Sequence, residues 1–212
     1  MSQLTFKFPF KTNYFEEDYF VSSNNFDAYK LIESWPNWSS RYINIYGPRG
    51  CGKTHLMNIL KKKINCYFIN ASEINDNSVS LIKLKECLII DEYNSNIEEK
   101  LFYSIFNLCH QSNQYMIVNS IKPITNEEIE LNDLKSRFRS FISIGIDLPT
   151  DDLIRVILSK NFSDKQVKID AKLLEYILKN INRSYEDIFD LINKLDNLSL
   201  STGKSININL IK

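Results

Sequence analysis

Gly47-Pro48-Arg49-Gly50-Cys51-Gly52-Lys53-Thr54 satisfies every fixed position of the phosphate-binding pattern G-x-x-x-x-G-K-[ST], and it holds three of the five glycines in the chain. Glycine permits the positive-φ turns that aim successive backbone N–H groups at an anion. In such a loop Lys53 reaches the β- and γ-phosphates, and the Thr54 hydroxyl ligates Mg2+. Nucleotide contacts are therefore expected from Gly47 through Thr54 and from the adjoining His55, which is given no catalytic role. A second element of the same chemistry is Asp91-Glu92, directly after the apolar run Cys87-Leu88-Ile89-Ile90. Asp91 there orients Mg2+ and its water, and Glu92 polarises an attacking water, in the manner of a Walker B pair. Asn119-Ser120 follows the apolar Tyr115-Met116-Ile117-Val118. Asn119 either positions the hydrolytic water or belongs to a simple turn before Pro123.

A phosphate loop works only where it leaves a buried strand and opens a helix whose N-terminus faces the anion. Arg41 to Tyr46 reads as that strand, and Thr54 to Lys63, with apolar residues at helical spacing and a basic last turn, reads as that helix. Further strands are expected at Asn65–Ile69, Cys87–Ile90, Tyr115–Val118 and Phe141–Ile146, with an amphipathic helix over Ile97–Cys109. Upstream, the polar Ser22-Ser23-Asn24-Asn25 caps a helix from Phe26 that Pro36 ends. The aromatic Tyr14 to Val21 stretch before it either walls a base pocket or packs into the core. This alternation argues a mostly parallel five-stranded sheet flanked by helices. After Pro149-Thr150 the pattern changes to helices alone, over about 151–160, 170–180 and 184–200, which suit a small α-helical lid.

The composition bounds what else the chain does. Lys+Arg and Asp+Glu balance at 26 each over 212 residues, so no global basic field points to nucleic acid. No apolar run approaches a membrane span and no signal-peptide layout opens the chain, so the expected compartment is the cytoplasm. Cys51, Cys66, Cys87 and Cys109 form no C-x-x-C pair and read as small buried residues. At the start, Gln3-Leu4-Thr5-Phe6-Lys7-Phe8 is apolar and aromatic. It forms either an edge strand of the same molecule or an extended peptide whose alternate side chains fill pockets on a partner.

The order of phosphate loop, acidic strand end, polar strand tip, Ser136-Arg137-Phe138 and helical lid resembles an AAA+ ATPase module of the DnaA branch. Within that branch it is most similar to the short DnaA-related regulators of the Hda type. Leu134-Lys135-Ser136-Arg137-Phe138 is similar to the motif that carries the arginine finger, and Leu148-Pro149 followed by Asp151 to Leu158 is similar to the first lid helix. The chain stops after the lid without a helix-turn-helix, and Gln3, Leu4, Phe6 and Phe8 resemble a sliding-clamp-binding motif.

The resemblance implies a clamp-binding peptide over 1–12, an α/β nucleotide-binding domain over 13–148 and a lid over 149–212. It also implies ADP or ATP with Mg2+ as cofactors, and DnaA and the DNA polymerase III sliding clamp (beta) as partners, with homo-oligomers possible. Arg137 becomes the finger that acts on ATP bound to DnaA, with Arg139 the second choice, and either arginine making a structural salt bridge is the alternative. Asn119 becomes sensor 1. Glu186 falls where a sensor 2 arginine is expected, which leaves Arg183, one turn earlier, as the lid contact to the phosphates. Ile121 also departs from the pattern, near a position where an acid is expected. The competing expectation is an autonomous AAA+ ATPase that loads or remodels a replication component.

Overall fold

A computed structural model of the chain describes residues 14–94, 97–165 and 170–202. Five short strands, β1 (Tyr42–Tyr46), β2 (Cys66–Asn70), β3 (Cys87–Tyr93), β4 (Tyr115–Ser120) and β5 (Ile142–Gly145), form one sheet in the order β2-β3-β4-β1-β5. Every pairing is parallel. Parallel strands are covered on both faces, which is why Cys87 to Ile90 and Met116 to Val118 are apolar without alternation. Because all strands run the same way, their carboxyl ends gather along one edge. There Asn70 lies opposite Asp91, and Tyr46 opposite Ser120.

The flanking helices of this unit are α1 (Phe26–Glu33), α2 (Lys53–Lys61), α3 (Ser78–Ile82), α4 (Glu99–Gln111) and α5 (Asn132–Phe138). The core joins Leu88, Ile90, Met116 and Val118 of the sheet to Phe102 and Phe106 of α4 and Phe138 of α5. Two of these helices carry no long amphipathic signature in the sequence. Helix α3 has five residues and α5 seven, so each presents barely one or two apolar side chains, Ile82 in one and Leu134 and Phe138 in the other. Strand β3 runs three residues past the apolar run, so both acids lie within the strand and not beyond it. Its register against β4 shifts between Ile90 and Tyr93, and Glu92 sits at φ +54°, the left-handed conformation a bulge imposes on a non-glycine residue.

The chain divides into two compact units, one spanning Tyr14–Asp147 and the other holding the helices from Leu148 on. In the second, α6 (Asp151–Asp164), α7 (Ala171–Asn180) and α8 (Tyr185–Thr202) build a core of their own from Ile154, Leu158 and Phe162, with Ile177, Ile188 and Ile192 among the facing residues. The first three lie four apart and so share one face of α6. Thr150 starts that helix, its hydroxyl accepting from Leu153 N at 3.3 Å, a cap worth about 1 kcal/mol.

Candidate functional site

Strand β1 lies between β4 and β5, so the loop that follows Tyr46 leaves from within the sheet. Two glycines have direct physical reasons. A Cβ on Gly47 would stand 2.6 Å from the carbonyl oxygen of Ile146, and Gly52 combines φ +96° with Tyr19 only 3.0 Å from where its Cβ would be. Gly52 caps α2, which begins at Lys53, so the loop opens a helix as the sequence predicts. Lys53 Nζ donates to its own loop, to Gly47 O at 2.7 Å and Pro48 O at 2.9 Å. Neutral carbonyls are weaker partners than phosphate oxygens, so an anion in the loop would draw the ammonium away. Arg49 and Gly50 are exposed at the loop tip, whereas Cys51 is buried, and burial pushes its thiol up from the ordinary range. A neutral, enclosed thiol matches the packing role expected of it.

Thr54 Oγ1 donates to Asp91 Oδ2 at 2.7 Å, and Asn119 Nδ2 donates to Asp91 Oδ1 at 2.8 Å. The phosphate-loop hydroxyl, the β3 acid and the β4 tip thus meet on a single buried carboxylate. Asn119 is fully enclosed and its Oδ1 has no hydrogen-bond partner, a deficit of roughly 1–3 kcal/mol for a buried acceptor. The Thr54 hydroxyl and the Asp91 carboxylate are hard oxygen ligands, the type that Mg2+ takes together with nucleotide phosphates. These two residues therefore fit the group, and the unmet Asn119 acceptor beside them suits a hydrogen-bond donor such as water. Among the described residues no cluster of three or more His, Cys, Asp or Glu could hold a metal by itself.

Sequence reasoning missed two asparagines here. Asn70, the last residue of β2, donates from Nδ2 to Glu92 Oε2 at 2.7 Å while its Oδ1 accepts from Ser72 N at 3.0 Å. It therefore fixes the carboxylate of the strained residue. Asn44, in the middle of β1, is fully buried and donates to Val118 O at 2.9 Å and Ser120 Oγ at 2.8 Å. Its Oδ1 accepts from Ile124 N at 3.1 Å, and Ser120 O in turn accepts from Gly47 N at 3.2 Å. The β4 tip and the first residue of the phosphate loop are tied through it.

His55 sits in the first turn of α2, but its Nε2 donates to Phe15 O at 2.6 Å, and the rings of Tyr14 and Tyr19 meet its own edge-on at 5.3 Å. It anchors the aromatic stretch that runs over Gly52. In the helical unit, Arg183 Nε donates to Asp151 Oδ1 at 2.9 Å in an exposed ion pair, and Glu186 is exposed in the first turn of α8. Gln3, Leu4, Phe6 and Phe8 lie outside the described residues.

Arg137 is the penultimate residue of α5. Its guanidinium lies over the Phe106 ring, 5.4 Å from the centroid, and Phe106 in turn packs 4.7 Å from the ring of Tyr42, the first residue of β1. The phosphate loop follows the last residue of that strand. Among the described residues no carboxylate pairs with Arg137 or with the exposed Arg139, so neither has the salt bridge that would give it a purely structural role.

Comparison with known proteins bears on the fold. A curated relative, the chromosomal replication initiator protein DnaA of Buchnera aphidicola subsp. Baizongia pistaciae, is 28% identical over 99% of this chain and 52% of its own length. The chain has the AAA+ P-loop fold and is similar in sequence to DnaA. The chain spans about half the length of the curated relatives it matches. Domain III of Thermotoga maritima DnaA superposes with a TM-score of 0.75 at 18% identity, covering 96% of this chain and 95% of that one. AMPPCP-bound DnaA from Aquifex aeolicus gives a TM-score of 0.68 at 22% identity over 90% of this chain and 67% of that one. Both show the shared fold. A family model described as RNA helicase matches residues 43–129, the stretch from β1 through the phosphate loop and β3 to just beyond β4. Among the described residues no helix is long and apolar enough to cross a membrane.

Proposed function

We propose that this DnaA-related module binds ADP or ATP and regulates replication initiation by supplying Arg137 in trans to ATP held by DnaA. The observation that carries the reading is the position of Arg137. It lies over the Phe106 ring, which packs against Tyr42 at the start of β1, whereas the chain's own phosphate loop begins after Tyr46. Four residues of strand at about 3.3 Å each separate those ends by roughly 13 Å, which favours a γ-phosphate on another molecule as the target of the guanidinium. Its planar fork stabilises the charge that spreads over the transferring phosphoryl group, an effect of about 10³–10⁵ in rate for fingers of this kind.

The chain's own nucleotide would be held by the amides of Gly47 to Gly52 and by Lys53, with Thr54 and Asp91 as the residues that hold Mg2+. Mg2+, when bound, neutralises charge on the phosphoryl oxygens. Asn119 orients a water from its buried amide, and Glu92 accepts that water's proton from a carboxylate steadied by Asn70. Arg183, held by Asp151 in an exposed pair that costs little to break, is the residue of the helical unit offered to a phosphate. Gln3, Leu4, Phe6 and Phe8 tether the protein to the sliding clamp.

The test is single-turnover hydrolysis of labelled ATP pre-bound to the cognate DnaA, with and without this protein and a DNA-loaded clamp. The expected result is an acceleration that needs the clamp and that both Arg137→Ala and deletion of residues 3–8 abolish. The complete set of Thr54, Asp91 and Glu92 favours a second reading, an autonomous ATPase that loads or remodels a replication component. No acceleration by the wild type, together with clamp-independent turnover that requires Glu92, would establish that reading instead.

A further inference from the structure

Helix α4 meets α5 through Glu99, Phe102 and Phe106, which are three and four residues apart and so lie along one face. Glu99 accepts from the two backbone amides just before α5, Oε1 from Glu130 N at 2.9 Å and Oε2 from Leu131 N at 2.7 Å. Phe102 packs edge-on against Phe138 with centroids 5.4 Å apart, and Phe106 lies under the Arg137 guanidinium. The short helix is thus pinned just ahead of its first turn by a carboxylate and at its last turn by two rings. Seven residues of helix are too few to hold their own shape in water, so the geometry of α5 depends on these contacts.

A ring face differs from a carboxylate as a partner for arginine. It attracts the cation and restricts its rotamers while leaving the in-plane N–H donors free for a ligand. We propose that Glu99 and Phe106 are positioning residues for Arg137, fixing the helix that carries it and presenting its guanidinium with the donor fork unclaimed by any of the described residues. This inference rests on the reading of Arg137 as a finger for ATP held by DnaA. Ordering the side chain before the encounter lowers the cost of reaching the transition state, so loss of either residue should lower the maximal rate and leave the half-saturating concentration unchanged.

The experiment measures the same clamp-dependent, single-turnover hydrolysis of DnaA-bound ATP over a range of concentrations of this protein, with Phe106→Leu and the isosteric Glu99→Gln, each alone and in an Arg137→Lys background. Affinity of each variant for a fluorescent ADP analogue reports whether the fold is intact. The expected result is a fall of about three- to tenfold in maximal rate for each single variant, with half-saturation and ADP affinity held, and little further loss in the Arg137→Lys background. Wild-type rates in both variants would overturn the inference while leaving the finger reading in place. So would equal losses with and without the native arginine, because a general structural defect does not depend on Arg137. If Arg137→Ala itself matches the wild type, the finger reading fails and the inference with it.

Discussion

At the carboxyl end of the sheet Asp91 is met by Thr54 and Asn119, Glu92 by Asn70, and Lys53 by two carbonyls of its own loop. At the opposite end Arg137 has a ring beneath it and, among the described residues, no carboxylate beside it. The first region is a set of polar groups that satisfy one another in the absence of ligand, with Asn119 Oδ1 the exception. The second holds a strong donor with a contact that does not compete for its hydrogen bonds. A site that binds its own nucleotide can keep its groups paired until the ligand exchanges with them, whereas a group meant for another molecule's phosphate works best when nothing on its own chain occupies its donors.

The two ends should therefore fail in different assays. The largest effect belongs to Arg137→Ala, which should reduce acceleration of DnaA-bound ATP hydrolysis by about 10³-fold while nucleotide binding to this chain, measured by fluorescence titration, stays within twofold. Lys53→Ala should do the converse and weaken binding of MgATP by about 100-fold, as expected for loss of a charged hydrogen-bond partner. Loss of binding in the first variant, or its retention in the second, would break the division between the ends.

A smaller effect is expected from Asn44→Leu. It leaves the Ser120 hydroxyl and the Ile124 amide without their buried partner, at about 1–3 kcal/mol. Thermal unfolding should shift down by roughly 2–10 °C and nucleotide affinity should fall, because the β4 tip also holds Gly47 N. An unchanged affinity would confine Asn44 to stability. The smallest effect concerns Cys51. Burial raises its thiol, so alkylation by iodoacetamide should be slow at neutral pH and should quicken only as pH climbs above the ordinary thiol range. Fast labelling at pH 7 would mean that the loop opens readily and that its packed conformation is not the resting one.

What could be read from the sequence follows from how each feature is encoded. The phosphate loop and the β3 acids were legible because their chemistry demands particular residue types at fixed spacing, and the alternation of strands with helices was legible because apolar period differs between the two. Asn70 was not, since it acts through register: it matters because it lies across from Asp91 in the neighbouring strand, a relation no local spacing records. Asn44 was hidden for a similar reason, a single polar residue within an apolar strand whose four partners come from β4, the turn after it and β5. Helix α5 was missed although Arg137 was marked, because its shape is set by α4 and not by its own seven residues. The left-handed Glu92 likewise could not be anticipated, as nothing in Asp91-Glu92-Tyr93 signals a bulge.

The central claim is that the chain's own nucleotide site and its finger serve different phosphates. The most direct measurement compares Glu92→Gln with Arg137→Ala in single-turnover hydrolysis of labelled ATP carried by DnaA, with this protein loaded with unlabelled ADP and the clamp on DNA. The account predicts that Glu92→Gln accelerates hydrolysis as the wild type does and that Arg137→Ala does not. Acceleration lost in Glu92→Gln and kept in Arg137→Ala would contradict it.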